Sequence, residues 1–235
     1  MQLRLWSIVP LCLTLGLALS ACDDASQTPP TQRAAPVDDT SAAVPVMGPE
    51  RTVLAFGNSL FAGYNVAAED SYPAKLEAAL RSRGINAKVT NAGVSGDTTA
   101  AGLQRLSFIL DAQAEASDLF ILELGGNDLL RGIQPSETRA NLEAMLKELA
   151  DRDIPVLLMG MRAPPNFAQF RSGFDTIYPD LAQSYDAALV PFFLESIYRN
   201  PELIQSDRIH PTEEGIETLV QATVDDVVEA LPEAE

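Results

Sequence analysis

Histidine is nearly absent from this chain: 235 residues contain one, His210. Cysteine is almost as scarce, with Cys12 and Cys22 alone, and both lie in the first tenth of the sequence. A transition-metal or zinc site draws on imidazole and thiolate, so only carboxylates remain, and neither a metal nor a cofactor is expected. Basic residues are also few, 16 Lys and Arg against 33 Asp and Glu, for a net charge of −17. Phosphate-backbone recognition needs clustered cations, so nucleic acid is excluded as a partner. The same acidity gives polyanionic substrates no long-range attraction, and favours solubility.

Long apolar runs are limited to one, Leu5–Leu19, behind the single basic residue Arg4. It is shorter than the roughly 20 residues that a membrane-spanning helix needs, and reads as the core of an export signal over residues 1–21. The run ends in Leu19-Ser20-Ala21-Cys22, which resembles a bacterial lipoprotein signal with Cys22 lipidated as the mature N-terminus. The expectation is an exported lipoprotein held on the periplasmic side of a membrane, or at the cell surface, by this anchor. An ordinary secretory signal would instead leave it soluble in the periplasm. Loss of residues 1–21 removes only Arg4 among the charges and leaves −18. With Cys22 lipidated no free thiol remains, which fits an oxidising compartment. Residues 22–50 are rich in Ala, Thr, Ser, Pro and Asp, cannot bury a core, and are expected to form a disordered tether of roughly 30 Å root-mean-square span.

The remaining 185 residues, Arg51 to Glu235, suit one domain without internal repeats. Strands are predicted over Val53–Phe56, Ala87–Asn91, Leu119–Leu124, Pro155–Met159 and Ala188–Phe192. Helical patterns fall between them, over Tyr72–Arg83, Thr98–Gln113, Glu137–Asp151 and roughly Asn166–Ala187. A last helix is expected after His210, with Pro211 and Thr212 at its entry and Ile216, Leu219, Val220, Val224 and Val227 on one face. Alternating strand and helix implies a parallel sheet covered on both faces, whose ligands bind beyond the carboxyl ends of the strands. Ser59, Gly93 and Asn127 each fall at such an end.

Four blocks carry the chemistry. They are Gly57-Asn58-Ser59-Leu60, Asn91-Ala92-Gly93-Val94-Ser95-Gly96-Asp97-Thr98, Glu123-Leu124-Gly125-Gly126-Asn127-Asp128, and Asp207-Arg208-Ile209-His210-Pro211. A serine at a strand end with a distant Asp and His supplies the parts of an activated nucleophile. In this order the blocks resemble the SGNH hydrolase superfamily, the GDSL esterases and lipases, with Ser59, Gly93, Asn127 and His210 at its four signature positions. The wording Gly-Asn-Ser-Leu-Phe-Ala-Gly-Tyr, Leu-Gly-Gly-Asn-Asp and Arg-Ala-Pro-Pro-Asn-Phe is most similar to the thioesterase I/arylesterase branch. The resemblance covers roughly residues 52–231. It implies a three-layer, flavodoxin-like α/β fold with a five-stranded parallel sheet.

The resemblance also implies roles. Ser59 attacks an ester carbonyl, His210 moves the proton, and Asp207 folds back within one turn to hold the ring nitrogen facing away from the serine. The oxyanion is met by the Ser59 and Gly93 N–H groups and the Asn127 amide. Leu60, Leu129, Pro164 and Ile209 line the acyl side. One departure stands out: the family usually has Asp where this chain has Asn58. That position is outside the catalytic set, but an amide both donates and accepts where a carboxylate only accepts. Glu123, at the end of an apolar run, is expected to make a structural hydrogen bond. The expected activity is hydrolysis of small acyl or aryl esters or of single-chain acyl lipids, with thioesters chemically equivalent. A carbohydrate O-deacetylase is the enzymatic alternative. An inactive SGNH-fold binding module is the non-enzymatic one, against which Ser59, Asn127, Asp207 and His210 stand together.

Overall fold

A computed structural model describes residues 46–113 and 116–233. The expected signal, Cys22 and nearly all of the expected tether lie outside the described residues. Five strands form one sheet: β1 Arg51–Gly57, β2 Ala87–Gly93, β3 Leu119–Glu123, β4 Val156–Met159 and β5 Ala188–Val190. All neighbours pair in parallel, in the order β2-β1-β3-β4-β5. The central strands read as continuous apolar runs because both of their faces are covered: Val53 to Phe56 and Leu119 to Leu122 have at most 1% of their surface exposed. Each fully buried Leu or Phe contributes roughly 1.5–3 kcal/mol through removal of apolar surface from water.

Eight α-helices connect and cover the sheet among the described residues. They are α1 Ser59–Ala62, α2 Tyr72–Ser82, α3 Thr99–Asp111, α4 Gly126–Leu130, α5 Pro135–Asp151, α6 Ala168–Phe174, α7 Ile177–Tyr185 and α8 Glu213–Ala230. The chain steps outward from β1 to β2, then back across β1 to β3. Right-handed crossovers in opposite directions put the connecting helices on opposite faces. Accordingly α2 packs on α8, while α3 and α7 pack on α5. The point of reversal is where such sheets leave a crevice. In register, Gly57 is level with both Gly93 and Glu123. The segments leaving β1, β2 and β3 therefore emerge side by side.

Three local expectations differ from the structure. The stretch expected as one helix over 166–187 is a short 3-10 turn at Pro165–Phe167 followed by α6 and α7. Pro179 explains the division: without an N–H it is tolerated in the first turn of α7 but not in the middle of a longer helix. The fifth strand stops at Val190, before Pro191, which cannot donate to a ladder. The short helices α1 and α4 were not expected, because four or five residues carry no readable period.

Candidate active site

The nucleophile turn is built from its capping residue. Asn58 Oδ1 accepts the Leu60 N–H at 3.0 Å and lies 3.4 Å from Ser59 Oγ, while the Ala62 N–H bonds to Asn58 O at 2.9 Å. Asn58 thus starts α1 and holds Ser59 at its first residue. Beneath the turn lies Glu123, fully buried, which accepts the Asn58 N–H at 3.2 Å and the Asn58 Nδ2 at 2.9 Å. Burial pushes the Glu123 carboxyl up to about 8, against the opposing pull of these two bonds. The expected structural bond at Glu123 is therefore made to the residue that departs from the family pattern. Both ends of the Asn58 amide are used, one accepting and one donating.

The Asp207–His210 block leaves the core as a tight surface loop. Ile204 and Pro211 form an antiparallel bridge, the Gln205 N–H reaches His210 O at 2.7 Å, and Arg208 takes a left-handed φ of 62°. Asp207 folds back as its spacing implied. Its Oδ1 accepts the backbone N–H groups of Ile209 at 2.9 Å and His210 at 3.0 Å, and its Oδ2 lies 2.6 Å from His210 Nδ1. Partial burial raises the Asp207 carboxyl, but the bonds from the His210 ring and the two N–H groups outweigh it and hold the group down at about 2. His210 Nε2 is 2.8 Å from Ser59 Oγ. The Tyr64 ring lies against the imidazole, 4.2 Å between centroids. Gln205 Nε2 donates to Tyr64 O at 2.9 Å and to Pro211 O at 2.8 Å, clasping this loop to the segment after α1.

Asn127 comes from the end of β3 through Gly125, whose φ is 110°. A Cβ at 125 would lie 2.1 Å from the Tyr178 hydroxyl, which donates to Leu124 O at 2.8 Å, so only glycine fits this turn. Asp128, fully buried, accepts the Thr99 N–H at 2.8 Å, the Thr99 hydroxyl and the Thr138 hydroxyl at 3.3 Å, tying α4 to α3 and α5. Asn127 Nδ2 donates one hydrogen to Asp97 O at 2.9 Å, and its second has no partner among the described residues.

Gly93 stands differently from its expected part. Its N–H donates to Asn91 Oδ1 at 2.9 Å. A Cβ there would sit 2.4 Å from Ala62 N and 2.9 Å from Asn58 O. Glycine at 93 is demanded by the backbone of α1 rather than by a substrate, and its N–H is occupied. Three residues on, Gly96 has φ 88°, and its N–H has no hydrogen-bond partner among the described residues. Its signal in the sequence was a glycine just before the Asp97-Thr98 entry to α3, in the same block. Of the expected acyl-side residues, Leu60 and Leu129 are 7% and 5% exposed and belong to the core. Pro164 is exposed, and Ile209 is 43% exposed beside His210. Tyr64, Val94 and Leu130, outside the expected set, are exposed to a similar degree, and each is close in sequence to a site residue.

A serine, histidine and aspartate in hydrogen-bond sequence at the carboxyl edge of a 2-1-3-4-5 sheet, with a side-chain amide alongside, define a hydrolase of the SGNH class. The chain belongs to the GDSL-like lipase/acylhydrolase family, whose pattern matches residues 55–217. It is 38% identical over 180 residues to an arylesterase of Vibrio mimicus, spanning 76% of this chain and 89% of that protein. It is 39% identical over 165 residues to thioesterase 1/protease 1/lysophospholipase L1 of Escherichia coli strain K12, spanning 70% and 77%. The crystal structure of AlinE4, an SGNH-hydrolase family esterase, is 62% identical and superposes with a TM-score of 0.67, covering 80% of this chain and all of that one.

Proposed function

We propose that this chain is a serine-dependent carboxylic-ester hydrolase working through an acyl-enzyme at Ser59. The observation that carries the reading is the continuous contact from Ser59 Oγ to His210 Nε2 at 2.8 Å and from His210 Nδ1 to Asp207 at 2.6 Å. Ser59 Oγ adds to the ester carbonyl carbon while His210 Nε2 takes the hydroxyl proton. Asp207 holds the ring in the tautomer whose Nε2 can accept, and balances the imidazolium that forms. The carbonyl π pair moves onto oxygen, where it meets the second Asn127 amide hydrogen and the N–H groups of Ser59 and Gly96. When the tetrahedral adduct collapses, the bond to the leaving oxygen breaks and His210 returns the proton to it. Water then attacks acyl-Ser59 by the same route and releases the acid.

Its substrates are small acyl or aryl esters, single-chain acyl lipids and chemically equivalent thioesters. The family of the relatives and the exposed apolar side chains Tyr64, Val94, Leu130 and Ile209, each close in sequence to a site residue, favour this reading. Initial rates on p-nitrophenyl esters from acetate to dodecanoate test it, with Ser59→Ala as control. Turnover of medium chains that disappears in the control is expected. Failure to cleave any chain length by a folded protein would sink the proposal. We further propose, from the export-signal pattern and the lipoprotein-like motif ending at Cys22, that the enzyme is held on a membrane surface outside the cytoplasm. Labelling with a fatty-acid probe in cells should follow Cys22 and vanish in Cys22→Ser; labelling that persists rules the anchor out.

A further inference from the structure

Arg105, on α3, stands outside the four signature blocks yet touches three parts of the site's scaffold. Its Nε donates to Asp97 Oδ2 at 2.7 Å, its Nη2 donates to Gly57 O at 3.0 Å, and its Cζ lies 3.8 Å from the centroid of the Phe56 ring. The pair is sheltered, with side chains 19% and 12% exposed. Gly57 is the last residue of β1, two before Ser59, and its carbonyl also accepts the Val94 N–H at 3.0 Å. Asp97 supplies the carbonyl that takes one hydrogen of the Asn127 amide, and it directly follows Gly96. A single planar guanidinium therefore joins the strand end that presents the nucleophile to the turn that aims the amide. Only a fork with two donors in fixed geometry can serve both acceptors while its face rests on an aromatic ring.

We propose that Arg105 is a positioning residue for the oxyanion donor: through Asp97 it fixes the direction of the Asn127 amide without touching the substrate. The inference rests on the assignment of Asn127 to the oxyanion. Without the cation, the Val94 N–H makes the one remaining hydrogen bond from the 94–97 turn to β1 among the described residues, and the Asp97 carboxylate is left sheltered and without its cation; Arg131, which donates to Gly96 O at 2.8 Å, ties the turn to the end of α4 but not to β1. The amide then tracks a turn that can shift by fractions of an ångström, enough to weaken a bond that matters only in the transition state.

A double-mutant cycle on p-nitrophenyl butyrate tests this, using the parent, Arg105→Met, Asn127→Ala and the pair together. If Arg105 acts through Asn127, Arg105→Met lowers kcat by about 30-fold with KM changed less than about threefold, and costs no more than about threefold in the Asn127→Ala background. Arg105→Lys, which can reach one acceptor but not both, falls between parent and Arg105→Met, and replaces it in the cycle if the methionine variant loses its native circular dichroism. Equal losses in both backgrounds, or a kcat within twofold of the parent, overturn the inference while leaving the oxyanion assignment intact. An Asn127→Ala enzyme with unchanged kcat overturns the assignment itself, and the inference with it.

Discussion

Asn58 and Ser59 enter the site from a strand end sealed from below by Glu123, and Asn127 from a turn locked by Asp128 and Tyr178. Asp207 and His210 instead hang on a surface loop whose contacts are mostly with itself. The first half of the site is continuous with the core; the second is a local device, clasped by Gln205 and Tyr64. Groups that must be rigid, the nucleophile turn and the proposed oxyanion donor, are held by buried polar pairs that are costly to leave unsatisfied. The acid–base pair needs only a hydrogen-bonded turn. Substitutions on the histidine side should therefore cost mainly activity, and those on the serine side activity and stability together.

The largest break in this comparison is Asp207→Asn. An amide can offer its NH2 group to His210 Nδ1 and stabilise the wrong tautomer, which in a buried triad costs about 10⁴ in kcat. Here the aspartate side chain is 34% exposed and water can share its work, so a loss between about tenfold and about 10⁴ is expected. The melting temperature near neutral pH should fall by a few degrees at most, because the carboxylate's contribution is screened at a side chain 34% exposed. Because its carboxyl sits at about 2, below the ordinary 3.8, the stability this aspartate contributes is present above pH 3.8 and is lost only as pH falls through about 2. Parallel kcat and thermal-melt measurements at pH 7 check both parts. A drop of many degrees would show that the loop is not the local device described.

Asp128→Asn is the counterpart on the serine side. An acceptor-only group that receives three donors is replaced by one that accepts at one atom and donates at the other. Leaving one of these donors unsatisfied costs about 1–3 kcal/mol, or several degrees of melting temperature for a domain of this size. Because α4 carries Asn127, kcat should fall as well, by about ten- to a hundredfold, if its amide loses its aim. Full activity with a lowered melting temperature would separate Asp128 from the oxyanion side.

The same contrast explains which parts of the fold and site are legible in the sequence. The sheet could be read because buried parallel strands are continuous apolar runs, and the ends of those runs at Phe56, Asn91 and Leu124 lie within two residues of the observed ends of β1, β2 and β3. The Asp207–His210 contact could be read because three residues span one turn. The rest depended on tertiary approach. Gly93 looked like an oxyanion glycine, but its missing Cβ accommodates the backbone of α1, and its N–H is taken by Asn91. Leu60 and Leu129, expected on the acyl side, are buried among core side chains, while Tyr64, outside the expected set, faces the histidine. Arg105 carried no local signal, since its partners lie 8 and 48 residues away in the chain.

The smallest expected effect on rate, and the sharpest test of the buried half, comes from Asn58→Asp. Aspartate can still cap α1 by accepting the Leu60 N–H, so kcat at pH 7 should change less than about tenfold, near 1.4 kcal/mol. What changes is the partner of Glu123. In the native pair the Asn58 amide donates to the Glu123 carboxyl at 2.9 Å. Two carboxyl groups at that distance must share a proton, because both cannot ionise there. The direction of the pH effect follows. Glu123 is already raised from 4.5 to about 8 in the fold, so the stability it contributes is fully present below pH 4.5 and declines as pH rises toward 8. Loss of the donating amide raises the pair further, so the variant's decline should continue past pH 8, where the parent's levels off. Thermal melts of both proteins from pH 5 to 9 read this directly. Parallel curves, offset by a constant, would mean that the Asn58 amide does not govern the ionisation of Glu123.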